Sequence, residues 1–244
     1  MVAKTYPSNY SNEIKIPSEV VYEGVSCEVV GVGQGAFANC KVTSITLPET
    51  IRNLDTQCFY GCKNLKSLLL PNGLKYIGDC AFSDSGLESI TIPESVIAVD
   101  MMEPFPPQLK SLTIDSSKSS LLTGDSSWFV TYGACEKLES IFIGRNLDGN
   151  REWAGIYDNH GMDFMACSNL KKVEIGEFVT KFGASFDSTL EIFCEPTSPP
   201  ESSGECSPKC LQTSIVYVPK SAIELYRKDA YWGRFKNIKA LEEY

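Results

Sequence analysis

Apolar residues recur through the first hundred positions with a regular spacing. The segment Ile45-Thr46-Leu47-Pro48 places one residue between two apolar residues and ends in proline. Segments of the same form end at Pro71 and Pro93, which lie 23 and then 22 residues further along the chain. Alternation with period 2 predicts a short strand with one face in the core, and the proline ends the strand.

A second apolar element precedes each of these strands. It reads Ala36-Phe37, Cys58-Phe59 and Ala81-Phe82, and a cysteine follows three residues after each of the first two phenylalanines. A unit of this length cannot bury its own apolar face, so consecutive units must stack. We predict a solenoid whose strands form a parallel sheet and whose Ala-Phe elements line the opposite wall.

Later units keep the strand and lose much of the motif. The fourth unit retains Leu112 and Ile114, but residues 102–107 stand where the Ala-Phe element is expected. Further strands are predicted at residues 141–143, 173–175, 190–192 and 216–218. The unequal distances between them predict insertions, and the region between residues 100 and 165 departs most from the repeat.

Both ends of the stack contain residues that can cap it. Alternating apolar residues on either side of Glu23-Gly24 predict a β-hairpin before the first full turn. Near the other end, residues 221–224 have the Ser-x-x-Glu pattern of a capping box, which predicts a short helix. Trp232 and Phe235 are bulky enough to close the core there. We therefore predict a single domain over residues 13–244, after a poorly ordered segment at residues 1–12.

With these residues aligned, the chain resembles the BspA-like leucine-rich-repeat proteins. The resemblance rests on Ala36-Phe37, Cys40 and Ile45-Thr46-Leu47-Pro48 with their copies, and on Val216-Tyr217-Val218-Pro219. It implies an α/β repeat solenoid, a right-handed leucine-rich-repeat stack with a parallel sheet on its concave face. It also implies an exported or cell-surface protein whose role is adhesion or protein binding, without a catalytic motif.

Charge and hydropathy exclude several classes of partner. The net charge is −9, and the 22 lysines and arginines form no cluster that would hold a nucleic acid. No apolar run is long enough to cross a membrane, and the first 17 residues lack the apolar core of a signal peptide. From the resemblance we expect an extracellular or cell-surface protein whose signal peptide was removed, with no nucleic-acid partner and no direct membrane insertion.

The ten cysteines fall into two groups. Those that occupy the repeated position, Cys40, Cys62, Cys135 and Cys167, are predicted to be buried free thiols, and Cys58 replaces the small residue of the motif in the core. Cys194, Cys206 and Cys210 border or lie in a polar, proline-rich stretch. A disulfide that closes this loop is an open alternative there, whereas a zinc site lacks a fourth ligand.

Positions between the paired apolar residues of each strand point away from the core. The outward residues that we predict to form a contact surface are Thr46, Leu69, Thr91, Thr113 and Phe142. Small and β-branched residues also suit a sheet surface that binds nothing. Trp128, Trp153 and Tyr157 in the insertions are further candidates, because loop aromatics on a rigid scaffold often anchor a partner. They could equally pack as a satellite core.

The sequence contains no recognisable active site. His160 is the one histidine, and it lies in a segment that reads as a turn in an inserted loop. Asp158 and Asp163 flank it at a spacing that differs from an EF-hand. We expect no catalytic, cofactor or metal site. The main hypothesis is a non-enzymatic adhesion module that contacts a host protein or glycan through its concave sheet and the loops at residues 120–165. The alternatives are a structural spacer or oligomerising element of a surface assembly and, last, a hydrolase hidden in the irregular region.

Overall fold

The computed structural model describes residues 11–99, 105–115, 121–124, 136–147, 151–153, 156–158 and 162–244. For residues 11, 121–124, 147, 151–153, 156–158 and 162–163 it describes the backbone strands alone. Residues 1–10 of the segment predicted to be poorly ordered (1–12) lie outside the described residues. Strand β1 begins at Ser11, two residues before the predicted start of the domain.

The described strands and helices follow in chain order. The strands are β1 (Ser11–Lys15), β2 (Glu19–Tyr22), β3 (Val25–Glu28), β4 (Gly31–Val32), β5 (Lys41–Thr46), β6 (Asn53–Leu54), β7 (Tyr76–Ile77), β8 (Ser89–Ile92), β9 (Ala98–Val99), β10 (Ser111–Ile114), β11 (Leu121–Gly124), β12 (Ser140–Ile143), β13 (Asn146–Leu147), β14 (Arg151–Trp153), β15 (Ile156–Asp158), β16 (Met162–Asp163), β17 (Lys172–Ile175), β18 (Lys181–Phe182), β19 (Ala184–Ser185), β20 (Glu191–Cys194), β21 (Glu201–Ser202), β22 (Ile215–Val218) and β23 (Asn237–Ala240). The two α-helices are α1 (Pro208–Thr213) and α2 (Ile223–Lys228), and single turns of 3-10 helix span Lys220–Ala222, Trp232–Arg234 and Leu241–Glu243.

Seven of these strands form the predicted parallel sheet, which we call the long-strand sheet. Its order is β8-β10-β12-β17-β20-β22-β23, so each unit of the chain adds one strand beside the previous one. Ile90 pairs with Leu112, and Leu112 with Ile141, so equivalent positions of the repeat lie side by side. These inward residues are at most 4% exposed. The predicted solenoid is confirmed.

A second parallel sheet runs along the stack, and the sequence analysis did not predict it. This short-strand sheet has the order β4-β6-β7-β9-β11-β13-β18-β21, and most of its strands contain two residues. Strands β4, β6 and β7 each place one apolar residue in the core, respectively Val32, Leu54 and Ile77, none more than 1% exposed. A strand of two residues has no alternation for a sequence pattern to detect.

The Ala-Phe elements form the wall predicted for them. The rings of Phe37, Phe59 and Phe82 stack with centroid distances of 5.6 and 5.8 Å. Phe105 continues the stack 6.5 Å beyond Phe82, so the fourth unit keeps the aromatic residue that the sequence analysis treated as lost. Three prolines flank Phe105 and obscure the repeat in the sequence, but the aromatic position is kept in the packing.

Backbone conformation repeats as regularly as the side chains do. The first and fifth residues of each of the first three turns have positive φ angles between 52° and 68°. The residues in this conformation are Gly35, Asn39, Gln57, Gly61, Cys80 and Asp84. The amide of Phe37 donates to the carbonyl of Cys58 at 2.9 Å, and that of Phe59 donates to Ala81 at 2.9 Å. The left-handed residues thus orient alternate amides towards the next unit.

One predicted strand is wrong in its hydrogen bonding. Residues 66–70 carry the expected alternation, with Leu68 and Leu70 buried and Leu69 exposed, yet they form no strand with either neighbour. One backbone hydrogen bond links this segment to the next unit, from the Glu88 amide to the Lys66 carbonyl at 3.2 Å. Strand β5 instead pairs in parallel with β1. The alternation of buried and exposed side chains was therefore predicted correctly, but the backbone hydrogen bonds of the parallel sheet are interrupted at this segment.

The hairpin and the C-terminal tryptophan lie where they were predicted, although the strands of the hairpin are largely exposed. Strands β2 and β3 form the hairpin, and its turn residues Glu23 and Gly24 have positive φ angles of 50° and 80°. At the other end Trp232 is fully buried, and its indole donates to the Pro200 carbonyl at 2.9 Å. The capping box is wrong, because Ala222 is the residue at the start of α2 and no side chain caps it. A turn of 3-10 helix leads into α2 instead. No helix in the described part of the chain is long and apolar enough to span a membrane.

Candidate binding surface

Regular pairing in the long-strand sheet aligns its outward side chains. Residues between the inward positions of successive strands are direct partners across the ladder. We call this line of side chains the open-face row, and its members are Thr91, Thr113, Phe142, Glu174, Phe193, Tyr217 and Lys239. Thr46 on β5 and Leu69 occupy the equivalent positions of the two preceding units.

The first half of this surface is small and polar apart from Leu69. Thr91 is exposed and Thr113 half-buried, and the hydroxyl of Ser140 donates to that of Ser111 at 3.3 Å. Leu69 is 84% exposed, the largest value among the large apolar side chains described. A groove of about 460 Å³ lies where the ladder is interrupted, lined in part by Leu69 and Thr91. This half offers hydroxyl groups and one apolar side chain.

The second half is aromatic and charged. The rings of Phe193 and Tyr217 stack with centroids 4.9 Å apart, and Tyr244 contacts both rings edge to face. The Lys172 ammonium lies 5.1 Å from the centre of the Phe193 ring and 2.8 Å from a Glu174 carboxylate oxygen. The aromatic half therefore contains a cation–π contact and a salt bridge on a surface that faces away from the core.

Sequence reasoning missed the aromatic half of the row. It placed a strand at residues 190–192 and another at 216–218, but it named no outward residue on either strand. The signal was present, because alternation carried one residue past Ile192 gives Phe193, and Tyr217 lies between Val216 and Val218. Tyr244 had no such signal, since its contact depends on the fold.

The structure describes the side chains of five of the eight predicted contact residues. Thr46, Leu69 and Thr91 are exposed, and Thr113 and Phe142 are half-buried members of the same surface. Trp128 lies outside the described residues. Trp153 in β14 and Tyr157 in β15 belong to an antiparallel strand pair whose side chains are also outside the described set. A contact role for all eight residues stays a prediction.

The repeat is recognisable beyond this one chain. Residues 30–154 match the BspA type leucine rich repeat region in six copies. The chain belongs to this family. No functionally curated protein matches it in sequence.

Several solved structures resemble this BspA-type chain along most of its length. A leucine-rich repeat protein from Bacteroides ovatus is 21% identical, covering 94% of this chain and 92% of its own, with a TM-score of 0.32. A leucine rich cell surface protein from Faecalibacterium prausnitzii is 18% identical, covering 94% and 87%, with a TM-score of 0.30. The pneumococcal vaccine antigen PcpA is 13% identical, covering 97% and 90%, with a TM-score of 0.33. Because these values are low, family membership rests on the repeat match.

Cysteines at the repeated position are core residues in this BspA-type protein. Cys40, Cys62 and Cys167 are free thiols and at most 4% exposed, which confirms the prediction, while Cys135 lies outside the described residues. The Cys62 thiol donates to the Phe37 carbonyl at 3.0 Å. Burial raises the pKa of Cys62 to about 12, so the thiol stays protonated near neutral pH.

The three other candidate cysteines are free and buried as well. Helix α1 carries Cys210 into the core, and Ser207 caps its start by accepting a hydrogen bond from the Cys210 amide at 3.1 Å. The Cys206 sulfur lies 3.2 Å from the Tyr231 hydroxyl. A hydrogen bond from the Cys210 thiol lowers the pKa of Cys206, and the same contact raises that of Cys210. The Cys210 sulfur lies 3.5 Å from the Ser214 hydroxyl. The disulfide alternative is therefore not formed in this structure, in which Cys206 and Cys210 are free thiols.

One buried charged side chain, Arg145, bonds to backbone carbonyls of an earlier unit of the stack. Arg145 is 1% exposed and donates to the carbonyls of Glu94 at 2.9 Å and Val96 at 2.7 Å. Desolvation lowers its pKa to about 10. The described residues contain no group of three potential metal ligands. His160 lies outside them, and Asp158 and Asp163 are described as strand backbone alone.

Proposed function

We propose that this leucine-rich-repeat protein is a non-catalytic binding module, outside the cell or at its surface, that contacts a host protein or glycan. The observation that supports this is the open-face row, whose side chains lie on the outward face of seven paired strands. A surface location is the expectation for a BspA-type protein. The loops at residues 120–165, with Trp128, Trp153 and Tyr157, are proposed to add to the contact.

The physical basis is preorganisation. Each inner strand of the long-strand sheet is fixed by two neighbours, so its outward side chains need little further ordering when a partner binds. Aromatic side chains provide large contact areas at low entropic cost, and residues of this kind dominate the energy of most interfaces. The aromatic half of the row contains such residues, and the hydroxyl half supplies hydrogen-bonding groups.

The test changes the open face while it leaves the stack intact. Thr91→Lys combined with Thr113→Lys places two cations on the face, and Asn53→Lys, at an exposed position of the short-strand sheet, is the matched control. Wild-type protein and both variants would be used to capture partners from host extracellular matrix and mucin. We expect the face variant to lose capture at least about tenfold and the control to retain it. Equal capture by all three proteins would contradict the proposal.

The loop aromatics have a separate test. Trp128→Ala and Trp153→Ala, made singly, are expected to weaken binding of the captured partner without unfolding the protein. Unchanged affinity in both variants would remove the insertions from the site and leave the sheet.

A second candidate function is a structural or oligomerising element. It is favoured by the hairpin, where Tyr22 and Val25 share one face and are 66% and 63% exposed. Apolar surface of this kind is common at protein contacts. Light scattering of the wild type and of Tyr22→Ser with Val25→Ser tests this. Self-association that the variant abolishes, together with no captured ligand, would favour the spacer function.

A further inference from the structure

Two outward aromatic side chains on the long-strand sheet are covered. Phe193 on β20 and Tyr217 on β22 are direct partners across the ladder, and their rings are stacked with an interplanar angle of 11°. They belong to the open-face row, yet they are 9% and 7% exposed. Thr91, an earlier member of the same row, is exposed. Something in the chain therefore shields this pair.

Both faces of the Phe193 ring are occupied. Tyr217 lies against one face, at a centroid distance of 4.9 Å. The Lys172 ammonium lies 5.1 Å from the ring centre, and it comes from β17, on the opposite side of β20 from Tyr217. The surface that Phe193 has left to offer a third group is its C–H edge, which lies beside the edge of Tyr217.

Tyr244 lies on that edge. Its ring centroid is 4.8 Å from Phe193 and 5.3 Å from Tyr217, with interplanar angles of 82° and 71°. A ring nearly equidistant from two stacked rings, and almost perpendicular to both, lies beside the stack and bridges it. Tyr244 itself is 74% exposed, so it covers the pair without being part of the core.

The electrostatics of the edge decide which ligands suit it. Ring edges carry partial positive charge and ring faces partial negative charge, so an edge attracts the face of another aromatic ring. A sugar presents C–H groups of the same sign as the edge and needs an open ring face, which Phe193 lacks. The edge therefore favours an aromatic side chain over a sugar, and Tyr244 already satisfies it.

We propose that the Phe193–Tyr217 pair is a docking site for a tyrosine or phenylalanine side chain of a protein partner, and that Tyr244 occupies it until the partner displaces it. This inference rests on the proposed function and narrows the partner at this point of the open face to a protein. Tyr244 acts as an intramolecular competitor, which lowers the apparent affinity by the fraction of molecules in which the site is free.

The experiment removes the competitor and adds an aromatic probe. N-acetyl-L-tyrosinamide would be titrated into wild-type protein and into Tyr244→Ala while the aromatic NMR signals of Phe193 and Tyr217 are followed. We expect the variant to bind the probe about tenfold more tightly, because two edge-to-face contacts no longer compete. N-acetyl-L-leucinamide and methyl β-D-glucopyranoside are expected to bind the variant at least about fivefold more weakly than the tyrosine probe.

Two results would overturn the inference. The first is a tyrosine probe that binds Tyr244→Ala no more tightly than wild type. The second is a leucine or sugar probe that binds as well as tyrosine, because the site would then be merely apolar or a sugar platform.

Control variants locate the effect. Phe193→Thr and, independently, Tyr217→Thr, each in the Tyr244→Ala background, are expected to abolish probe binding while circular dichroism shows a folded sheet. Tyr76→Ala removes another exposed tyrosine, on the short-strand sheet, and is expected to leave the wild-type affinity unchanged. Partner capture that depends on Thr91 and Thr113, combined with failure of the tyrosine probe, would overturn this inference alone. Probe binding without any face-dependent capture would contradict the proposed function instead.

Discussion

At the scale of single residues, the repeated cysteine shows how one position serves the fold. Cys62 is fully buried between units, and its thiol donates to Phe37 in the preceding turn. A thiol is small enough for this space and can satisfy a carbonyl there, which an alanine cannot. The same burial opposes ionisation, so the position couples stability to pH.

Alkaline pH is expected to destabilise the protein through Cys62. The folded-state pKa of Cys62 is about 12, against an ordinary value of 9.0. Its contribution is complete below about pH 9 and is lost as pH rises towards 12, since the unfolded thiol ionises first. Each pH unit in that window costs about 1.4 kcal/mol. Between pH 8 and 10.5, urea unfolding of the wild type should therefore lose about 2 kcal/mol more than that of Cys62→Ala. Leu65→Ala, a buried control without a titrating group, should lose as much as the wild type.

Alanine substitution at two glycines with positive φ, Gly24 and Gly61, distinguishes backbone strain from steric crowding. Alanine at Gly24 would meet no atom within 4 Å, whereas alanine at Gly61 would overlap the Asn39 side chain of the preceding turn. The left-handed conformation costs both variants about 1 kcal/mol. We expect Gly61→Ala to lower the free energy of unfolding by roughly 1–2 kcal/mol more than Gly24→Ala does. Equal losses in urea unfolding would show that Asn39 yields without cost.

At the scale of elements, the interruption at residues 66–70 is the main departure from regularity. In the part of the chain that the structure describes, the amides of Ser67, Leu68, Leu69 and Leu70 have no hydrogen-bond acceptor. The units remain in register on both sides, since the Gly86 amide donates to Cys62 at 3.0 Å and the Lys75 amide to Arg52 at 2.7 Å. Burial of Leu68 and Leu70 thus holds the segment in place without a ladder.

Hydrogen exchange can test this interruption. Amides without an acceptor exchange without an unfolding event, whereas those inside a ladder wait for one. We expect the amides of Leu68 and Leu69 to exchange at least roughly a hundredfold faster than those of Leu112 and Ile114. Similar protection factors for the two segments would mean that the ladder is closed in solution.

At the scale of the whole molecule, stability is shared between neighbouring units. Each strand of the two parallel sheets contacts chiefly the strands before and after it, so unpaired surface remains at the ends. Trp232 covers one end, where its ring packs against Phe182, Tyr226 and Phe235. A stack of this kind loses cooperativity when an end is opened.

Removal of the indole tests the cap. We expect Trp232→Ala to lower the free energy of unfolding by about 3–5 kcal/mol and to promote self-association through the opened end. Leu225→Ala, at a side chain 52% exposed on the neighbouring helix, is the control and should change stability by less than about 0.5 kcal/mol. Urea unfolding and light scattering measure the two effects. A small loss in Trp232→Ala would show that Tyr226 and Phe235 close the core without the indole.

The sequence by itself determined the repeat, the strands of the long-strand sheet from β8 to β22 and the outward position of Thr91, Thr113 and Phe142. These features follow from the alternation of apolar residues over a few positions, and burial of one strand face imposes that alternation wherever the strand lies. The core role of the phenylalanines and cysteines followed from their recurrence in the same way.

Tertiary structure alone decided the features that depend on distant partners. Whether residues 66–70 join a ladder depends on the spacing of two flanking units. Phe105 regained its place in the aromatic stack because the preceding ring lies there, whatever the local prolines suggest. Tyr244 covers Phe193 because β20 lies within reach of the last turn of the stack. A local pattern records which side of a strand is buried, but it carries no information on what the other side meets, since residues tens of positions away decide that.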